Sequence, residues 1–157
     1  MGIPQRLSRF LADRDIPFQT ESHPEAFTAQ QVAAASHVPG RAFAKTVMVN
    51  GDGKIWMAVV PATERVDLRR MQECLGVKKI RLASEAEFAG LFDDCDIGAM
   101  PILGSLYGIP VVASRDLTEN EEIAFTAGTH REIVRMRVKD WLEAERPRVC
   151  GREAILA

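Results

Sequence analysis

The sequence predicts a mixed α/β domain, a central mixed sheet flanked by helices. Three observations carry this. Segments with helical and with strand periodicity interleave along the chain instead of falling into separate blocks. At 157 residues there is room for one domain, spanning 1–157. Hydrophobic residues at 46% and charged residues at 27% describe a globular chain that can bury a core without disulfides or metal.

The elements follow in order. Ile3, Leu7, Phe10 and Leu11 recur at helical spacing, so residues 4 to about 14 read as an amphipathic helix with Pro4 in its first turn. Ile16 and Phe18 suggest a short strand. Thr28 is a candidate N-cap for a helix through Val32 to Ala35, stopped by Pro39-Gly40. AKTVMVN and IWMAVV are strands, and NGDGK between them is a hairpin signal. Val66, Leu68, Met71 and Leu75 form the apolar stripe of a helix that Gly76 ends. KKIRLAS is a strand and EAEFAGLF a short helix. IPVVAS and IAF are further strands. In THREIVRMRVKD, Met136 and Val138 alternate with Arg135, Arg137 and Lys139, which predicts a strand with a basic face. WLEAERP adds a last helical turn or two before a tail.

Composition limits the functions available. No apolar run approaches the roughly 20 residues of a membrane span, and MGIPQRLSRFLADRD has no signal-peptide apolar stretch. The expectation is a cytoplasmic protein without membrane contact. A net charge of −2, taken alone, argues against non-specific nucleic-acid binding, and no DNA partner is expected. The charges are nevertheless segregated. Arg65, Arg69, Arg70, Lys78, Lys79 and Arg81 form one basic region, and Arg131, Arg135, Arg137 and Lys139 another. Either is a phosphate-binding face or an ordinary solvated surface. Cys74, Cys95 and Cys150 are widely spaced and odd in number, so they read as small apolar residues and not as a disulfide framework or a zinc site.

Familiar catalytic motifs are missing from the sequence. There is no G-x-S-x-G, Walker P-loop, H-E-x-x-H or G-x-G-x-x-G. His23, His37 and His130 fall on three separate segments, which offers no metal-ligand spacing. Two features carry chemistry. Lys45 opens an apolar strand, where its ammonium either reaches the strand end or enters a cleft. Gly98-Ala99-Met100-Pro101 is either a plain turn or a loop whose N–H groups hold a carbonyl oxygen.

Taken together, HPEAFTAQQVA, AKTVMV, IWMAVVPATERVDL, GAMPILG and FTAGTH resemble the YbaK/ProX deacylases, relatives of the editing domain inserted in many bacterial prolyl-tRNA synthetases. The similarity runs through roughly residues 15 to 142, in the same order. It rests on a lysine opening a strand, a G-x-x-P loop some fifty residues later and an A-G-x-H segment beyond that. The resemblance implies a compact mixed α/β domain with a partly barrel-like sheet. It also implies hydrolysis of the ester between a wrongly attached amino acid and the 3′-terminal adenosine of tRNA, with no cofactor and no metal.

Carried onto this chain, the resemblance makes Lys45, Gly98 and His130 the catalytic set. Lys45 would hold the terminal adenosine and add charge near the oxyanion. The Gly98–Pro101 loop would donate N–H groups. His130 would line the amino-acid pocket or orient the substrate, with general base as the lesser role. Thr46, Ala99, Met100, Pro101, Gly128 and Thr129 would shape the substrate site, with His23 at its rim or capping a helix. Candidate tRNA contacts are Arg135, Arg137 and Lys139 together with Arg69, Arg70, Lys78 and Lys79. Partners would be the tRNA acceptor end and a synthetase. A small cavity rejects bulky side chains better than it sorts small ones, so the expected substrates carry alanine, serine, threonine or cysteine. The competing readings are a non-catalytic module that binds tRNA ends, nucleotides or a synthetase in the same cleft, and a metal-dependent hydrolase.

Overall fold

The computed structural model describes residues 2–24, 26, 28–151 and 155–156. The elements are α1 (Gln5–Asp13), β1 (Phe18–Ser22), α2 (Ala29–Ala35), β2 (Phe43–Gly51), β3 (Lys54–Pro61), β4 (Arg65–Val66), α3 (Leu68–Leu75), β5 (Ile80–Leu82) and α4 (Glu85–Phe88). They continue with β6 (Val111–Ser114), α5 (Arg115–Thr118), β7 (Glu122–Thr126), β8 (Glu132–Arg137), α6 (Val138–Glu145), β9 (Arg148–Cys150) and β10 (Ile155–Leu156).

Eight of the strands form one mixed sheet in the order β1-β8-β7-β2-β3-β6-β9, with β5 also on β2. β10 pairs separately with β4. The β2–β3 hairpin is the axis of the sheet, antiparallel from Ala44↔Pro61 to Gly51↔Lys54. Asp52 and Gly53 both have positive φ, as the predicted Asp-Gly tip requires.

The helices cover the sheet where their apolar stripes dictate. Leu7 and Leu11 of α1 are fully buried in a cluster with Met48, Met57, Phe125 and Trp141. On the opposite face Met71 and Leu75 of α3 pack on Ala58, Val60 and Val112. Val32 and Ala33 of α2 close the end of the sheet over Phe43, Ala124 and Ile133. Thr28 caps α2 as expected, and its hydroxyl accepts from Gln31 N at 3.1 Å. Asp67 caps α3, accepting from the N–H groups of Arg69 and Arg70.

Three expectations need correction. The basic strand face ends at Arg137, because α6 begins at Val138 and Lys139 belongs to the helix. The tail after α6 contains β9, which pairs parallel with β6. Cys74 and Cys150 are joined in a disulfide across a separation of 76 residues. β9 brings Cys150 to α3, a proximity that spacing in sequence cannot reveal.

Candidate functional site

β2 carries two different strands on one edge. β3 occupies the other edge along almost its whole length. β7 pairs in parallel only with Phe43 and Ala44. β5 pairs antiparallel only from Val49 to Gly51. Between them the edge opens from Lys45 to Met48. Burial follows the opening: Lys45, Thr46 and Val47 are half-buried in a strand whose flanking residues are buried. The Met48 carbonyl faces this split, accepting from Ala83 N at 2.9 Å. Backbone groups of alternate residues share a side, so the N–H and C=O of Thr46 face the split as well, beyond the end of the β7 ladder.

The split is a cavity of about 220 Å³. Its walls include Ala29, Phe43, Lys45, Thr46, Gly98, Met100 and Thr126. Lys45 and the glycine loop, 53 positions apart in sequence, therefore border the same space. Lys45 lies opposite Val60, on the α3 face of the sheet, and Thr46 projects to the other face, toward the loop. Burial pulls the Lys45 ammonium below its ordinary value. Glu64 opposes this by attraction and Arg65 adds to it by repulsion.

The loop is held from beneath. Gly98 has φ of 88°, and a Cβ there would stand 3.2 Å from His130 Cε1. His130 Nε2 lies 3.0 Å from the Ile97 carbonyl. A carbonyl only accepts, so Nε2 carries the proton and is not a base in this arrangement. Gly128, with φ of 94°, packs on Pro4 with no room for a side chain. Its N–H donates to Ala99 O at 2.7 Å and its carbonyl accepts from Asp96 N at 2.8 Å. Fully buried Trp141 donates Nε1–H to Ile102 O at 3.0 Å, which anchors the far end of the segment. Within the loop, Ala99 N–H is committed to Asp96 O at 3.0 Å. Among the described residues Gly98 N–H meets only a thioether, Met100 Sδ at 3.1 Å. Sulfur is a weak acceptor, so a substrate oxygen can replace it at little cost.

The structure brings Lys45, Thr46, Gly98 and Met100 together and leaves other expected residues elsewhere. Ala99 and Pro101 are buried behind the loop. His130 and Gly128 support the loop and do not line the cavity. Thr129 Oγ1 accepts from Arg131 N at 3.3 Å within the β7–β8 turn. His23 is 9% exposed, with its N–H on Arg131 O and its Nδ1 2.7 Å from Pro24 O. It neither lines the cavity nor caps α2.

The basic residues divide in the same way. Arg135 is 19% exposed. It binds both carboxylate oxygens of Glu21 and the Ser36 carbonyl, clamping β8 to β1 and α2. Arg137 pairs with Asp140 at 3.1 Å. The backbone N–H groups of Lys78 and Lys79 bind the Asp52 carboxylate at the hairpin tip. That tip is roughly 23 Å along β2 from Lys45. Arg69 and Arg70 begin α3, just after the Glu64–Arg65 turn at the Lys45 end, and both are exposed.

Two residues of this region were missed in the sequence. Thr126 lines the cavity, and strand alternation in FTAGTH could have suggested it. Glu64 is a 9% exposed carboxylate in an otherwise ordinary turn, and no sequence signal marks it. Among the described residues no three His, Cys, Asp or Glu side chains gather into a metal-binding group, and no helix is long and apolar enough to cross a membrane.

Residues 23–144 match the family described as aminoacyl-tRNA editing domain. The chain is 28% identical over 148 residues to the multifunctional Ser/Thr-tRNA deacylase ProXp-y of Escherichia coli strain K12, covering 91% of this chain and 88% of that protein. A crystal structure described as a candidate trans-editing enzyme for prolyl tRNA synthetase superposes with a TM-score of 0.80 at 22% identity, over 94% of each chain. That of hypothetical protein APE2540 gives 0.82 at 21% identity, over 94% of this chain and 97% of the other.

Proposed function

The chain belongs to the aminoacyl-tRNA editing domain family, and from that premise we propose that it hydrolyses, in trans, the ester linking a wrongly attached small amino acid to the 3′ end of tRNA. The observation that carries this reading is the split edge of β2, where one cation and one weakly engaged peptide N–H border the same small cavity.

An aminoacyl ester is already activated, so positioning and charge stabilisation suffice. Water adds to the carbonyl carbon, the acyl–oxygen bond breaks, and the ribose hydroxyl leaves with a proton. The tRNA's own terminal hydroxyl orients that water. Lys45 grips the terminal adenosine and places positive charge beside the developing oxyanion. The N–H of Gly98 exchanges the Met100 sulfur for the carbonyl oxygen, and the N–H of Thr46 faces the same space. His130, Gly128 and Trp141 hold the loop in place. No step of this scheme requires a metal, so the expected rate is insensitive to chelator.

A volume of about 220 Å³ lies below the roughly 300–1,000 Å³ usual for small-molecule sites. It suits a small side chain. The hydroxyls of Thr46 and Thr126 are available to a substrate hydroxyl, which favours serine and threonine within the small class. The deacylase activity named for the Escherichia coli relative supports the same choice. Arg69 and Arg70 are the proposed phosphate contacts, with the tRNA arriving free or on a synthetase.

The test is hydrolysis by the purified protein across tRNAs charged with alanine, serine, threonine, cysteine, valine and proline. Release of serine and threonine well above valine and proline is expected. Tight binding of charged tRNA with no release of any amino acid would instead make the domain a binding module.

A further inference from the structure

We propose that Met100 is an oxidation site: a peroxide converts its thioether to the sulfoxide, whose oxygen occupies the Gly98 N–H and closes the hydrolytic site. This rests on the reading of Gly98 given above.

The sulfur sits where the substrate's oxygen has to come. Met100 Sδ lies 3.1 Å from Gly98 N, the donor proposed for the ester carbonyl. Both residues border the cavity of about 220 Å³. The N–H has little freedom to turn away. Gly98 is held at φ of 88° over the His130 ring, and that ring is tied to Ile97 O at 3.0 Å. The Met100 side chain, with its three rotatable bonds, is the adaptable partner. As a thioether it accepts weakly and gives way to a substrate. A sulfoxide oxygen carries partial negative charge, so it competes with the carbonyl for the same donor. The oxidised side chain is also larger and polar, in a space that suits only a small acyl group.

Access singles out this methionine. Among the described residues the others are Met48, Met57, Met71 and Met136, all packed in core clusters. Met48 and Met100 are equally exposed, at 5%, but of the five only Met100 borders the cavity. Hydrogen peroxide is close to water in size and can enter along the open edge of β2. The sulfur lone pair attacks one peroxide oxygen, the O–O bond breaks, and the proton on the transferred oxygen passes to the departing hydroxide. Sulfur is oxidised, the peroxide is reduced, and water leaves. Methionine sulfoxide reductase reverses the change with a dithiol, which releases the oxygen as water and becomes a disulfide.

The test treats the full-length protein with hydrogen peroxide, reads each methionine by peptide mass spectrometry and measures single-turnover hydrolysis of seryl-tRNA. Met100 should oxidise before Met48, and hydrolysis should fall in step with it, by about a hundredfold at full conversion. Methionine sulfoxide reductase with dithiothreitol should restore the rate, and dithiothreitol alone should not. Met100→Leu, compared with its own untreated rate, should lose nothing to peroxide. Met100→Gln, whose amide oxygen stands in for that of the sulfoxide, should be as slow as the oxidised protein without treatment. A Met100 that stays reduced while Met48 oxidises overturns the proposal. So does equal peroxide sensitivity in Met100→Leu, or a loss of rate that circular dichroism traces to unfolding. If Met100→Leu does not fold, failure of the reductase to restore the oxidised wild type overturns it. An untreated wild type that releases no amino acid from any charged tRNA would refute the deacylase reading itself. Wild-type hydrolysis by the Met100 sulfoxide form would refute only the part played by Met100.

Discussion

Replacing Gly98 by alanine tests the loop at its tightest point. Gly98 holds φ of 88°, where a Cβ costs about 1–2 kcal/mol. That Cβ would also stand 3.2 Å from His130 Cε1. The ring is tethered through Nε2 to Ile97 O, so it yields only by loosening the loop, and crowding of this kind costs about 1–3 kcal/mol. The total, about 2–5 kcal/mol, lowers the melting temperature by roughly 4–20 °C in a chain of this length. The displaced N–H should reduce single-turnover hydrolysis of mischarged seryl-tRNA about a hundredfold. Gly53 is the matched control. Its φ is 84°, yet a Cβ there would meet nothing within 4 Å, and it lies at the hairpin tip. Gly53→Ala should lose about 1–2 kcal/mol and keep full activity. Thermal denaturation and deacylation measured together on the two variants decide the matter. Equal losses of stability with wild-type hydrolysis in both would refute the assignment of Gly98.

Arg135→Ala should destabilise the fold by about 1–3 kcal/mol in chemical denaturation, while leaving the salt dependence of tRNA binding unchanged; Arg69→Ala with Arg70→Ala should flatten that dependence. Arg135 also holds the Glu21 carboxyl below its ordinary 4.5. The stability from this shift is complete above 4.5 and is lost as pH falls through the lowered value, so Arg135→Ala should remove that part of the acid limb. Deacylation should decline on the alkaline side before pH 10.5, the ordinary lysine value, because burial lowers Lys45 and the reaction uses its protonated form; a pH–rate profile corrected for spontaneous ester hydrolysis reads this. Burial pushes the Cys95 thiol up to about 12, so iodoacetamide at pH 8 should leave it largely unmodified. Under the same conditions Cys74 and Cys150 should resist alkylation until reduced, and reduction should cost about 2–4 kcal/mol of stability.

The sequence made some levels of this structure legible and hid others. The β2–β3 hairpin, the Thr28 cap and the apolar stripe of α3 were readable because they depend on neighbours in sequence. Lys45 and Gly98 were recognisable through resemblance to the deacylase family, and the structure places both on one cavity. The split in the β2 edge was not readable, since it depends on where two distant strands stop pairing. The boundary at Val138 was missed because alternation in RMRV continues into residues that also suit a helix. Arg135 looked like a surface charge, and only the fold reveals Glu21 and Ser36 O around it. The Cys74–Cys150 bond was hidden for the same reason, as β9 must first join β6 to bring its cysteine near α3.

The most direct test of the split-edge site is single-turnover hydrolysis of seryl-tRNA by Lys45→Ala beside Lys79→Ala. The first variant removes the cation at the opening, and the second removes one at the far end of β2. Loss of at least about a hundredfold in Lys45→Ala, with Lys79→Ala at the wild-type rate, is the predicted result. Hydrolysis by Lys45→Ala at the wild-type rate would contradict it.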